Sequence, residues 1–360
     1  MKGFVLRVPL LAAMLATPLL CLGPSFADSV PADTPAMKAE LLFTIPWGDK
    51  WGQLKFVPEE ELKEATYAGP SSLLVTPPGD LYIYDPGSRR LQRFGPDGIY
   101  QAGIQFEPGF RRELTILALG SLRADRTRPL IVADESGFVA QLEPPASSAE
   151  PARPKELLKG VIGQTTTVSR IGTINPAGLL VEERGLLDPM AYLRFYEGTS
   201  YRRRFEAVDL VQSDPWYYAL AVDRALGGLY LRNSDKPGTQ VVTVQRIDGY
   251  EQKVAEEIPL TLPIIEDGNR RWHLLGAGQR SGGAVFFLSA RRPVFEGDEI
   301  YAVSTDRILG VAKISLPDAT EQDRYIRRWN YLVGVSYTGA LYVGIPTKTG
   351  YVVMRYTLPG

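Results

Sequence analysis

Apolar and polar residues alternate with a period of two in short runs along most of this chain, and glycine, proline, aspartate and serine punctuate the runs. The stretch from Pro70 to Gly98 is the most regular. It predicts three short strands, with turns at Pro78-Gly79-Asp80 and Pro86-Gly87-Ser88. A unit of this size cannot bury its apolar face alone, so it predicts one blade among several in a β-propeller.

Further strands follow in sets. A second set reads Leu114–Leu119, Leu130–Ala133, Phe138–Leu142 and Leu157–Val161, with Pro144–Pro154 as a surface loop. The third is Thr167–Ile171, Leu179–Glu182, Ala191–Phe195 and Tyr201–Phe205, and the fourth Tyr217–Val222, Gly228–Leu231, Val241–Gln245 and Gln252–Glu256. The fifth is Trp272–Leu275, Ala284–Leu288, Glu299–Val303 and Leu309–Ile314. Only three strands remain at the carboxyl end: Asn330–Val335, Ala340–Gly344 and Tyr351–Tyr356. Glu40–Ile45 supplies the missing outer strand and closes the ring, which removes an open sheet edge. The expectation is an all-β, six-bladed propeller of four-stranded antiparallel blades over residues 39–360. Leu54–Ala68 has weak helical character, and its glutamates read as a solvated face.

The amino terminus changes the picture of where this domain works. Lys2 and Arg7 precede the apolar run Val8–Leu20, and Ser25-Phe26-Ala27 offers small residues for cleavage. Residues 1–27 read as a signal peptide, and 28–38 as a disordered or extended segment. A membrane anchor is the other reading of the run, although Pro9, Pro18 and Pro24 interrupt it. Lipid attachment at Cys21 is a third, with Leu20 in place of the small residue that pattern requires. Cleavage after Ala27 removes the single cysteine, so a mature chain without a thiol points to a secreted or cell-envelope protein of a bacterium. The formal net charge of −1 excludes the basic excess of a nucleic-acid binder. No later stretch is apolar enough to span a membrane, and a monomer is expected.

Pro78-Gly79-Asp80, Leu81–Asp85, Arg89-Arg90, Leu91–Phe94 and Pro96-Asp97-Gly98 together resemble an NHL repeat. The resemblance implies a six-bladed propeller of the NHL-like superfamily, whose members include scaffolds, receptor modules, hydrolases and lyases. Physically, Gly79 and Gly98 suit positive-φ turns, and Asp85 can tie up backbone donors of the next turn. Asp85 with Arg89 or Arg90 makes a possible ion pair within the repeat.

The supply of chemistry is thin. His273 is the single histidine, read first as an inner-strand packing residue, so no zinc or copper site is expected. Oxygen ligands for a channel calcium could come from Asn175, Glu182, Glu183, Asp223, Asn269 and Asn330, but they share no blade position, and no cofactor is expected. A nucleophile elbow and a phosphate-binding glycine loop are both lacking. What does recur is arginine and tryptophan at the starts of inner strands: Arg111-Arg112, Trp216, Arg270-Arg271-Trp272 and Arg327-Arg328-Trp329. Inner strands of a propeller begin on one face, so Arg112, Trp216, Arg271, Trp272, Arg328 and Trp329 form the candidate ligand-binding set at the channel mouth. Arg202–Arg204 on an outer strand reads as edge protection or a partner contact.

The leading expectation is an exported, non-catalytic binding or scaffold protein that recognises an envelope or extracellular protein, a peptide or an acidic glycan. The alternative is a propeller hydrolase or lyase acting on a sugar, lactone or polyanionic glycan. In that reading His273 is the base and Arg271 or Arg328 neutralises a substrate carboxylate.

Overall fold

The computed structural model describes residues 34–56, 69–108, 129–134, 138–145, 272–290, 297–315 and 331–359, together with the further strands and isolated positions named below. The strands begin with β1 (Lys38–Pro46), β2 (Ser72–Val75), β3 (Leu81–Asp85), β4 (Arg90–Phe94) and β5 (Tyr100–Gln105). Next come β6 (Ile116–Leu119), β7 (Leu130–Ala133), β8 (Val139–Leu142), β9 (Ser148–Pro151) and β10 (Lys155–Glu156). The middle of the chain forms β11 (Thr166–Ile174), β12 (Gly178–Gly185), β13 (Ala191–Glu197), β14 (Ser200–Glu206), β15 (Ala219–Asp223), β16 (Gly227–Arg232), β17 (Val241–Asp248) and β18 (Lys253–Thr261). The last are β19 (His273–Arg280), β20 (Gly283–Ser289), β21 (Glu299–Val303), β22 (Ile308–Lys313), β23 (Leu332–Val335), β24 (Leu341–Pro346) and β25 (Gly350–Thr357).

Backbone pairing groups these strands into six sheets. The regular ring of six equivalent blades nevertheless needs correction. Four blades are described with most of their side chains: β2–β5, β6–β8 with β10, β19–β22, and β23–β25 with β1. Sheet β11–β14 is described as backbone only, and β15–β18 adds a partial set of core residues, so neither counts as an established blade core. Nor is every sheet four-stranded and antiparallel. β9, from the segment expected to be a loop, adds to β5 in parallel and makes that sheet five-stranded. The partner of β8 is Lys155–Glu156 and not the apolar Leu157–Val161, which lies outside the described residues. A period-two pattern finds half-buried strands, but a polar edge strand carries no such signal.

Apolar side chains fill the spaces between neighbouring sheets. Tyr84, Leu91 and Ile104 of one blade meet Leu130 and Val132 of the next. Val75, Leu81 and Ile83 meet Tyr342, Tyr351 and Val353 on the other side. Phe287, Ile300 and Ala302 meet Leu341, Val343 and Met354. Leu231, Val244 and Leu260 of the β15–β18 sheet pack toward Trp272, Phe286 and Tyr301.

The turn chemistry read from the sequence recurs in the structure. Gly79 has φ of 95°, its N–H donates to Thr76 O at 2.9 Å, and Thr76 N–H donates to Asp80 O at 2.9 Å. Ser336–Ala340 repeats this turn, with Gly339 at φ of 76°. Asp85 accepts from the N–H groups of Gly87 (3.0 Å) and Ser88 (3.3 Å), capping its turn as expected. The ion pair forms elsewhere: Arg93 binds Asp80, while Arg89 donates to Pro108 O and Arg90 to Gln105 Oε1 and Asp49 O.

Inner strands approach each other closely. A Cβ on Gly278 of β19 would lie 2.6 Å from both Cα and N of Gly339, which follows β23. Backbone cannot swing aside as a flexible side chain can, so Gly278→Ala is expected to lower stability by about 1–3 kcal/mol, read as a shift in the urea midpoint.

Both ends of the chain share one sheet. β1 pairs antiparallel with β25, with Leu41 opposite Met354, Phe43 opposite Val353 and Ile45 opposite Tyr351. Upstream, Met37 N–H donates to Val311 O (2.8 Å) and Val311 N–H to Pro35 O (3.0 Å), tying the amino-terminal segment to the outer strand β22. Downstream, residues 47–56 form a strap toward the β2–β5 blade. Trp47 Nε1 donates to Thr347 O (2.7 Å), Leu54 is fully buried, and Gly52 N–H and Gln53 O both bond the side chain of buried Gln92. Arg90 lies 4.7 Å from the Trp51 ring centroid. Leu54–Phe56 are not helical, and residues 57–68 lie outside the described set.

Candidate functional site at the start of the inner strands

The strands β2, β6, β19 and β23 are the innermost of the four described blades, and their first residues sit at one end of the propeller. Here Ser71 and Ser72 both donate through their hydroxyls to Leu114 O at 2.8 Å. Tyr331, just before β23, donates its N–H to Val294 O at 2.9 Å, so the β20–β21 connection reaches the neighbouring blade. His273 opens β19 and is half-buried.

The four inner strands read SLLV, ILAL, HLLGAGQR and LVGV. They contain no carboxylate, and His273 is their one group able to take up a proton near neutral pH. Trp272 does not line the mouth. It is 2 % exposed and its ring meets Tyr301 edge-on, with centroids 5.2 Å apart. Tyr301 in turn donates its hydroxyl to Glu299 Oε2 at 2.5 Å. Burial and the neighbouring carboxylate together push the Tyr301 phenol far above its ordinary range, so it stays protonated.

Arg112, Trp216, Arg271, Arg328 and Trp329 lie outside the described residues, as do Asn175, Asn269 and Asn330. The strands carrying Glu182, Glu183, Arg202–Arg204 and Asp223 are described as backbone only. Of the predicted site residues, then, the described set places two neighbours: Trp272 buried in the core and His273 half-buried at the head of β19. Among the described residues no group of three or more histidine, cysteine, aspartate or glutamate side chains is arranged to hold a metal. No helix among them is long and apolar enough to cross a membrane.

Sequence reasoning did not single out Ser289, the residue paired across the sheet from His273. Its signal would have been a polar residue ending the apolar run Val285–Leu288.

Comparison with known proteins bears on the fold. No family pattern matches the chain, and no curated protein matches it. The NHL resemblance over Pro70–Gly98 therefore fails as a family assignment: its turns form as expected, but such turns serve many propellers. A luciferin-regenerating enzyme superposes with a TM-score of 0.50 at 14% identity, over 81% of this chain and 92% of that one. A triple mutant of AofleA from Arthrobotrys oligospora gives 0.48 at 9% identity, over 90% and 88%. Virginiamycin B lyase from Staphylococcus aureus gives 0.43 at 10% identity, over 81% and 95%. At 14% identity the first of these likenesses bears on architecture alone, and with the sheet topology it makes the chain a β-propeller.

Proposed function

We propose that this chain is a propeller hydrolase or lyase that acts on a lactone or sugar-derived C–O bond, with His273 as its general base. The observation that carries this reading is the contrast between two adjacent residues. Trp272 is locked into the core, so it offers no stacking platform at the mouth, whereas His273 stays half-exposed at the head of an inner strand. Aliphatic residues make up most of the four described inner strands, which leaves the imidazole as the reactive group there. In lactone hydrolysis, neutral His273 takes a proton from water as the water oxygen attacks the carbonyl carbon. The ring C–O bond then breaks, and the departing oxygen collects the proton to give a hydroxy acid.

The leader read at residues 1–27, outside the described set, supports action outside the cytoplasm on a diffusible substrate. The test is acid release from a panel of lactones, and double-bond formation on uronic glycans, by wild type and His273→Ala. Loss of about 100-fold or more in kcat for the variant, with an unchanged urea midpoint, supports the reading. Saturable binding without turnover by either protein would assign the mouth to ligand capture instead.

A further inference from the structure

The outer strands β4 and β5 and the strap that crosses them build a second surface, on a different blade from His273. Trp51 stands over β5, where a Cβ on Gly103 would lie 2.5 Å from the six-membered ring of its indole. Glycine alone lets the ring settle this close to the strand. Tyr100 lies alongside, with ring centroids 5.8 Å apart, and the Arg90 guanidinium stacks 4.7 Å from the indole centroid. Trp51 and Arg90 both stay half-buried, within reach of solvent.

Arg90 differs from two other arginines of the described blades. Arg93 binds the carboxylate of Asp80, and Arg355 that of Glu40. Arg90 has neutral acceptors instead: its Nε donates to Gln105 Oε1 at 2.9 Å and its Nη1 to Asp49 O at 2.7 Å. Gln105 is itself held in one orientation, because its Nε2 donates to Ser88 O and Arg89 O. Among the described residues no carboxylate pairs with Arg90, and its Nη2 has no hydrogen-bond partner. The guanidinium is thus fixed in place with its charge uncompensated, beside an indole that solvent reaches. Lys50, the exposed residue before Trp51, adds a second cation.

We propose that Trp51 and Arg90 form a binding site for a saccharide that carries a carboxylate, a uronic-acid unit of a glycan. The C–H face of the sugar packs on the indole, and its carboxylate takes a charge-assisted hydrogen bond from Arg90 Nη2. A guanidinium already held by two bonds loses little freedom on binding, which favours affinity. A peptide suits this place less well. An extended chain binds a blade by adding to a strand edge, and β9 already occupies the edge of β5 at Gly103 and Gln105. The assignment does not depend on the role proposed for His273.

The test is calorimetric titration of the purified protein with oligomers of galacturonate, glucuronate and mannuronate, and with their methyl esters. At least one acid oligomer is expected to bind saturably, and its ester about 10-fold or more weakly. Arg90→Gln is expected to lower affinity about 10–100-fold, and Arg90→Lys nearly as much, because an ammonium lacks the planar fork. Trp51→Ala is expected to lower it about 10-fold, and Trp51→Phe, which keeps a ring on the strap, by less. His273→Ala should bind as wild type does. Loss of binding in that variant would place the glycan at the mouth and overturn the assignment. Equal affinity for acid and ester, wild-type affinity in Arg90→Gln, or no saturable binding of any uronate would also overturn it. An acidic peptide that binds where no uronate does has the same consequence. Should Arg90→Gln not fold, Arg90→Lys replaces it, and wild-type affinity there is equally decisive.

Discussion

Deleting the chain through Pro46 is expected to abolish cooperative folding. The deletion removes β1, buried Met37 and Ile45, and the two backbone bonds between Pro35–Met37 and β22. Complete burial of an aliphatic or methionine side chain is worth about 1.5–3 kcal/mol, so Met37 and Ile45 alone account for a large share of the about 5–15 kcal/mol that holds a typical domain together. The strap suffers too, since Leu54 N–H donates to Pro46 O and loses its anchor. β25 then becomes an exposed edge of a sheet that is apolar on both faces, a template for association. Urea denaturation should show a broad, non-cooperative transition, and gel filtration should show higher oligomers. A synthetic peptide of residues 35–46 added in trans should restore part of the sharp transition by strand addition. A truncated protein that unfolds at the wild-type midpoint would refute the role assigned to this strand.

Asp85→Ala is expected to cost about 3–5 kcal/mol. The carboxylate is fully buried and receives Lys55 N–H at 2.7 Å, Ser88 Oγ at 2.6 Å, and the N–H groups of Gly87 and Ser88. Removing the acceptor strands these donors, and each buried donor left without a partner costs about 1–3 kcal/mol. It also frees the strap from the blade, because Lys55 is one of its contacts. Asp85→Asn preserves shape but points an amide at the N–H of Lys55, so an intermediate loss is expected.

The pH dependence has a definite sign. Burial raises the Asp85 pKa, and the four donors oppose that rise only in part. A carboxyl whose pKa is raised on folding binds its proton more tightly in the native state. Its contribution to stability therefore grows as pH falls through the raised value, and is complete below the ordinary value of 3.8. The gap between wild type and Asp85→Ala in urea midpoint should widen on mild acidification. A gap that narrows would show that hydrogen bonding outweighs burial at this site.

Local chemistry was legible in the sequence where one residue decides the backbone. Gly79 and Gly98 adopt positive φ, Asp85 caps its turn, and the strand expected to close the sheet pairs with Val352–Tyr356. The contacts of the strap were not legible. Gln92 lies in a strand whose alternation predicts a polar outward position, yet it is buried because residues 52 and 53, forty positions earlier, cover it. Trp272 shows the same limit at the candidate site. Its neighbours in sequence suggest a basic-aromatic cluster, while its neighbours in space, Tyr301 and Leu288, make it core. Periodicity records that a side chain is covered on average but not by what. The pairing of His273 with Ser289 depends on register, which a bulge between Leu274 and Gly276 shifts by one residue.

The ion pair between Glu40 and Arg355 joins residues 315 positions apart. A ribosome making this protein releases Lys38–Pro46 long before it makes the partner for those residues. Until β25 is made the edge of β1 stays open, and a chaperone that shields it has a long task. The seam thus closes late, when β25 meets a strand made some three hundred residues before it.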